Sequence, residues 1–152
     1  QQYTGYMGSS VKLSNNYLTS VDGLEDALAS IMFDCEGVKW LDLSFNQIET
    51  LESIESLNYT LENLQLHSNN IFNINEVMRL AKFRSLKSLT LHGNPVEETK
   101  NYRYCVIAIL PWLKSLDFNH ITTKDRDTAE TFKKLFIEPL IKKQVVKMSR
   151  KK

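Results

Sequence analysis

The sequence predicts an α/β solenoid, a right-handed βα superhelix. Short parallel strands should line its concave face, helical returns should form its convex face, and a cap should close its C-terminal end. Three observations predict it. One segment pattern recurs four times, at spacings of 30, 23 and 25 residues. Each copy sets an asparagine at the same place among aliphatic residues. After the last copy the pattern changes, as it must where an open stack is sealed.

The four copies are VKLSNNYLTSV (11–21), LDLSFNQIETL (41–51), LQLHSNNIFNI (64–74) and LTLHGNPVEET (89–99). Each reads apolar-x-Leu-x-x-Asn-x-apolar, with Asn16, Asn46, Asn69 and Asn94 in register. Val38, Leu61 and Leu86 add an apolar residue eight positions before the last three asparagines. A repeat of this length is one strand plus one return, and neither can bury its apolar side alone. Stacking sets the strands about 4.8 Å apart, so Val11/Leu13, Leu41/Leu43, Leu64/Leu66 and Leu89/Leu91 should share one core. The asparagine falls where the chain leaves the strand. Its amide is expected to pair with backbone groups of adjacent coils, each of which would cost about 1–3 kcal/mol if buried unpaired.

The returns differ among repeats. GLEDALASIMFDC (23–35) places Leu24, Leu28, Ile31, Met32 and Cys35 on one helical face. NEVMRLAKF (75–83) does the same with Val77, Met78, Ala81 and Phe83, and Asn73 or Asn75 is placed to cap it. ESIESLNY (52–59) is long enough for only a turn or two.

With 152 residues the chain suits one domain with a substantial core, and 42% hydrophobic against 24% charged residues is ordinary for a globular protein. No apolar run approaches the roughly 18 residues of a membrane helix. Cys35 and Cys105 lie too far apart for a CxxC pair or a local metal knuckle, and so few cysteines fit a reduced compartment. The sequence opens on Gln1 rather than Met, so a trimmed chain is expected, in which any N-terminal targeting signal would be invisible. Charge is uneven. Residues 1–132 carry 11 Lys/Arg against 17 Asp/Glu, whereas residues 133–152 carry 8 against Glu138 alone, an acidic body with a basic arm. GxxxxGK, HExxH and GxSxG are all absent, and parallel strand ends offer no deep pocket, so no enzyme activity and no cofactor are expected.

After Asn94 the sequence reads NPVEETKNYRYCVIAILPWLKSLDFNHITTKDRDTAE. Together with the four repeats, this segment resembles the intracellular leucine-rich repeat family. The matching cap residues are Tyr102, Arg103, Val106, Leu110, Pro111, Leu113, Leu116 and Asp117. The resemblance implies a final edge strand from Leu116 and Phe118, a helix capped by Thr122 or Thr123, and Asp125/Arg126 as the cap's charged pair. The organisation expected is an N-terminal segment (1–10), four repeats (11–99), a cap (100–131) and a helical basic tail (132–152).

The strands' outward residues form three rows on the concave face: Ser10, Trp40, Asn63, Ser88 and Ser115; Lys12, Asp42, Gln65, Thr90 and Asp117; Ser14, Ser44, His67, His92 and Asn119. From these, Trp40, Asp42, Asn63, Gln65, His67, Thr90, His92 and Asp117 are the candidate protein-binding residues, because solenoids bind through this face and hot spots are rich in Trp. The alternative for Trp40 is cover by the N-terminal segment, through Tyr3 or Tyr6. His67 and His92 share a row, but only Asp42 or Asp117 could join them around zinc, so no metal site is expected.

In the tail, Phe132, Leu135, Phe136, Leu140 and Ile141 suggest a helix lying on the body or on a partner, kinked or restarted at Pro139. The final KKQVVKMSRKK has few apolar anchors. Its Lys142, Lys143, Lys147, Arg150, Lys151 and Lys152 form either a solvated terminus or an arm for an acidic surface such as tubulin. RNA is not expected there, for want of an aromatic stacking platform.

LAKFRSLKSLTLHGNPVEETKNYR and FNHITTKDRDTAETFKK resemble a cilia-associated branch of the family, and leucine-rich axonemal dynein light chains are related. That resemblance implies a non-enzymatic adaptor of the ciliary or flagellar axoneme, bound to doublet microtubules in the cytoplasm. Its partners would be other axonemal proteins and tubulin, with no small-molecule substrate, membrane or nucleic acid. The alternatives are a ribonucleoprotein adaptor like the spliceosomal leucine-rich A-prime protein, and a phosphatase-regulatory subunit.

Overall fold

In the computed structural model, residues 8–32, 37–57 and 60–150 are described. Six short strands form one sheet in sequence order: β1 (Ser10–Lys12), β2 (Trp40–Asp42), β3 (Asn63–Gln65), β4 (Ser88–Thr90), β5 (Ser115–Leu116) and β6 (Asn119–His120). The first five are parallel and the sixth is antiparallel. The register runs Val11, Leu41, Leu64, Leu89, Leu116 across the sheet, flanked by Ser10, Trp40, Asn63, Ser88 and Ser115 on one side. Period-2 alternation then sends the aliphatic column inward. Leu41, Leu43, Leu64, Leu66, Leu89 and Leu91 are buried with Ile48, Ile71 and Val96 from the turns behind them. Val11 and Leu13 of the first coil are only partly buried against this core.

The asparagines form the expected ladder. Asn69 Nδ2 donates to the carbonyls of Leu43 and Leu66, 3.0 Å each, and its Oδ1 accepts from Ile48 N at 3.0 Å. Asn94 repeats this one coil on, with Leu66 O, Leu91 O and Ile71 N. Asn46 does so one coil back, with Leu13 O, Leu43 O and Leu18 N. Asn16 is exposed, and among the described residues it reaches only the carbonyls of Leu13 and Ser14 in its own coil.

Two returns depart from the expected pattern. In α1 (Leu24–Ile31) Leu28 is buried, but Ile31 is exposed rather than in the core; Cys35 lies outside the described residues. The third return is not an α-helix. Ile74–Leu80 is a 3-10 helix, capped by Asn73 Oδ1 accepting from Asn75 N. Three residues per turn aligns Ile74, Val77 and Leu80 on one side; Val77 and Leu80 are buried, as is Phe83 beyond the helix, while Met78 is turned out. A 3.6-residue period had put Met78 inside. The second return holds a single 3-10 turn, Ile54–Ser56.

After a 3-10 turn at Pro95–Glu98, helix α2 (Tyr102–Ile109), the β5–β6 hairpin and helix α3 (Thr123–Phe132) cover the last coil. Val106, Ile107, Leu110, Leu113, Leu116, Ile121 and Ala129 extend the core into this cover. Phe118 does not continue β5. Asp117 and Phe118 both have left-handed φ, 52° and 62°, the backbone of a two-residue hairpin turn whose twist suits the flanking strands. The chain reverses there, so Asn119 pairs with Leu116 in β6 instead of extending the third row. Thr122 caps α3 in a reciprocal box with Asp125. Asp125 pairs with Arg103 at 3.1 Å, not with Arg126. Arg126 instead donates to the carbonyls of Pro111 and Leu113.

Beyond α3 the helix widens into a π turn (Lys133–Ile137) and restarts as α4 (Glu138–Ser149), with Pro139 in its first turn. Pro139 cannot donate to the turn before it and would crowd that turn's carbonyl, which the wider π turn accommodates.

Candidate functional site

The concave face is built by the residues that β1–β4 turn away from the core and by the turns that follow each strand. Every ladder asparagine is preceded by a left-handed residue: Asn15 (φ 57°), Phe45 (54°), Ser68 (57°) and Gly93 (71°). Gly93 suits the place doubly, because a Cβ there would sit 3.0 Å from Ser68 Oγ. Asparagine tolerates this backbone, but a bulky side chain pays about 1–2 kcal/mol for it. Phe45 and Phe118 therefore sit where the fold alone would not choose them, and side chains held in such conformations concentrate at binding sites.

Both phenylalanines meet the histidines of the third row. His67 and His92 stack with ring centroids 4.8 Å apart, Phe45 meets the His67 ring edge-on at 5.4 Å, and Phe118 approaches both imidazoles at 5.8 and 5.5 Å. Phe45 is 52% exposed and Phe118 64%. Alternation along the strands points to His67 and His92 but not to Phe45 and Phe118, which lie in turns. The signal available was a phenylalanine at the turn position where the other repeats carry Asn, Ser or Gly.

Polar groups beneath fix the rings. His67 Nδ1 lies 2.8 Å from Thr90 Oγ1, which also accepts from Leu66 N. His92 Nδ1 lies 3.3 Å from Asp117 Oδ1. Burial, and then the neighbouring His92, push the His67 pKa below its ordinary value, while Asp42 and Asp117 pull the other way.

The expected contact residues thus separate. Trp40, Asn63, Gln65, His67 and His92 are half-buried on the concave side. Asn63 Oδ1 is enclosed and has no hydrogen-bond partner among the described residues. Asp42 and Thr90 are buried, so they have little surface to offer a partner; Asp42 Oδ1 is taken by Ser44 N and Oγ at 2.9 and 2.6 Å. Asp117 is committed to the cap. Its Oδ1 accepts from Leu91 N and His92 N at 2.6 and 3.0 Å, and its Oδ2 from Tyr102 Oη at 2.8 Å. Burial first and this carboxylate second push the Tyr102 hydroxyl pKa far upward. Among the described residues no group of three or more His, Cys, Asp or Glu is arranged to hold a metal ion, and no helix is long and apolar enough to cross a membrane. Tyr3, Tyr6, Lys151 and Lys152 lie outside the described residues.

A family model described as leucine-rich repeat matches residues 9–145. The chain belongs to the leucine-rich repeat family. Within it, the chain is similar to leucine-rich repeat-containing protein 51 of Bos taurus, 40% identical over 133 residues that cover 88% of this chain and 69% of that protein. The Homo sapiens counterpart is 38% identical over 130 residues, 86% and 68% of the two chains. The U2 small nuclear ribonucleoprotein A' of Candida albicans is 36% identical over 122 residues, 79% of this chain and 48% of that one. Among solved structures, a chain of the Drosophila melanogaster SNF/U2A' complex superposes with a TM-score of 0.74 at 28% identity, covering 90% of this chain and 74% of that one. The leucine-rich repeat domain of Chaetomium thermophilum Mex67 gives 0.58 at 25% identity, covering 72% and 81%. Leucine-rich repeat folds are typically protein-interaction modules without catalytic activity, and their concave sheet is the usual contact surface.

Proposed function

We propose that this leucine-rich repeat chain is a non-catalytic adaptor of the ciliary or flagellar axoneme. It is associated with doublet microtubules through other axonemal proteins and tubulin, and it docks a protein partner on its concave face. One observation carries the docking surface: two exposed phenylalanines in costly left-handed backbone flank a stacked histidine pair on a rigid sheet. Trp40 and Asn63, register partners on β2 and β3 and both half-buried, extend the surface. The axonemal setting rests on the similarity to leucine-rich repeat-containing protein 51 and on the ciliary association that this resemblance implies.

The second reading is a ribonucleoprotein adaptor, favoured by the similarity to U2 small nuclear ribonucleoprotein A' and by the superposition on a chain of the SNF/U2A' complex. The sequence had offered no aromatic platform for RNA; the Phe45–Phe118 cluster is exposed aromatic surface, although His67 and His92 already stack on each other.

Co-sedimentation with isolated doublet microtubules, set against co-purification with small nuclear RNA, separates the two. Enrichment with doublets supports the axonemal reading. Enrichment with the ribonucleoprotein, coupled with absence from axonemes, replaces it with the second.

A further inference from the structure

Charge is uneven within the acidic body itself. Residues 1–132 carry 17 acidic against 11 basic residues. Yet the segments that lead into β4 and β5, AKFRSLK (81–87) and LPWLK (110–114), hold Lys82, Arg84, Lys87 and Lys114 and no acid. Successive coils stack these segments. Lys114 N and Ser115 N both donate to Lys87 O, at 2.8 and 3.0 Å, as Lys87 N donates to Glu62 O at 2.8 Å. Glu62 bonds Lys87 at 3.1 Å and lies 3.9 Å from Lys39, so on the earlier coils this column is balanced. At its cap end it is not. Lys114 is exposed and has no acidic partner among the described residues. Arg84 is exposed too, and its guanidinium lies over the Trp112 ring, 4.0 Å from the centroid. The indole is itself fixed, because Trp112 Nε1 donates to Phe83 O at 3.0 Å. Among the described residues no acceptor takes the side-chain N–H donors of Arg84. By contrast, Arg79 and Arg103 are paired with carboxylates and Arg126 with carbonyls.

We propose that this corner, where the fourth coil meets the cap, docks an acidic segment of a partner protein, with Arg84 as its anchor and Lys114 as its second charge. A long cationic side chain normally loses rotamer freedom on binding. The stack on Trp112 has already restricted Arg84, and a guanidinium whose face is used by an aromatic ring keeps its edge donors for a carboxylate. A single exposed ion pair is weak, so a segment with several carboxylates is the ligand that two neighbouring cations select. Nucleic acid fits less well. It requires a run of phosphate contacts, but Glu62 interrupts the column after Lys87, and the acidic remainder of the body repels a long polyanion. Trp112 is half-buried and carries Arg84 on its ring, so it is no open platform for a base. The corner uses none of Trp40, Phe45, His67, His92 and Phe118, and is therefore a second surface beside the concave one.

The test titrates the full chain with hexaglutamate, hexaglutamine and hexathymidylate at one salt concentration. The readout is the indole N–H resonance of Trp112, which registers binding at this corner rather than at the basic tail. Hexaglutamate should shift it saturably, and hexaglutamine should not. Arg84→Gln with Lys114→Gln should raise the Kd read at Trp112 by about tenfold or more. Lys114→Glu alone, which removes no side-chain contact among the described residues, should raise it by a similar factor. Lys142→Gln, Lys143→Gln and Lys147→Gln together should leave it within about threefold of wild type. Every substituted side chain is exposed, so thermal melting should stay close to wild type throughout. Any of four results would overturn the proposal: a Trp112 response to hexaglutamate that is absent or matched by hexaglutamine; a wild-type Kd in both the Arg84/Lys114 and the Lys114→Glu variants; loss of the response when the tail lysines are replaced; or tighter binding of hexathymidylate than of hexaglutamate at Trp112.

Discussion

The imidazoles of His67 and His92 lie face to face, 4.8 Å between centroids and within 4° of parallel. Two cations at that separation repel, and Thr90 and Asp117 hold the rings in place from below. Burial and the His92 charge favour neutral His67 in the fold, against the weaker pull of Asp42 and Asp117. A histidine with a depressed folded pKa takes up protons more readily when unfolded. Its contribution to stability is therefore intact above its unfolded pKa of about 6.5 and declines as pH falls toward the folded value. The melting temperature should drop on acidification through that window, and His67→Gln should flatten the drop. Parallel wild-type and variant profiles would remove His67 from the account.

Asn69 makes the contrast that tests the ladder. Its buried amide serves Leu43 O and Ile48 N of the preceding coil and Leu66 O of its own, tying two coils together. Asn69→Ala strands these groups at about 1–3 kcal/mol each, so a loss of at least about 2 kcal/mol is expected in denaturant melts. Asn16→Ala removes bonds from an exposed side chain within one coil and should cost under about 0.5 kcal/mol. Equal losses at the two positions would contradict the ladder.

The cap depends on one carboxylate. Tyr102→Phe removes the donor to Asp117 Oδ2 and should cost about 1–3 kcal/mol in chemical denaturation. Asp117→Ala should cost more, since Leu91 N and His92 N also lose their acceptor.

Why some of this was legible in the sequence, and some not, follows from the physics of each element. The strand columns and the ladder could be read because a period of two and a recurring asparagine are imposed at every coil. Trp40, His67 and His92 were placed by the same alternation. Met78 was misplaced because 3-10 and α-helices share apolar residues at i and i+3, and only the further residues Leu80 and Phe83 distinguish the two periods. A two-residue reversal depends on left-handed φ at both Asp117 and Phe118; aspartate suits that conformation, but phenylalanine does not signal it, so Phe118 and Asn119 read as a continuing strand. The burial of Asp42 and Thr90 depends on neighbouring coils, which alternation within one strand does not register.

Acid should loosen the end of the cap. The backbone N–H of Thr122 bonds the Asp125 carboxylate, Arg103 and the Thr122 hydroxyl add theirs, and the carboxyl pKa falls to about 2. A depressed carboxylate stabilises the fold above its unfolded pKa and ceases to do so as pH falls through the folded one. Stability held by Asp125 should thus fade between about pH 4 and pH 2, and Asp125→Asn should remove this part of the acid limb. Amide exchange in α3 against pH measures it; protection that is unaffected by Asp125→Asn would count against the capping box as the acid-sensitive element.

Phe45 gives the sharpest test of the concave face, because there fold and binding should pull in opposite directions. Its left-handed backbone costs about 1–2 kcal/mol, and its edge contact with His67 returns about 0.5–1.5 kcal/mol. Phe45→Asn keeps a residue that tolerates the conformation, as Asn15 does one coil earlier. The variant should melt at or slightly above the wild-type temperature. Its binding to doublet microtubules should fall by more than about 1 kcal/mol, and Trp40→Ala should lose a similar amount with the fold intact. Binding equal to wild type in both variants would remove the concave face as the docking surface. A clear fall in the stability of Phe45→Asn would instead make Phe45 a structural residue of the turn.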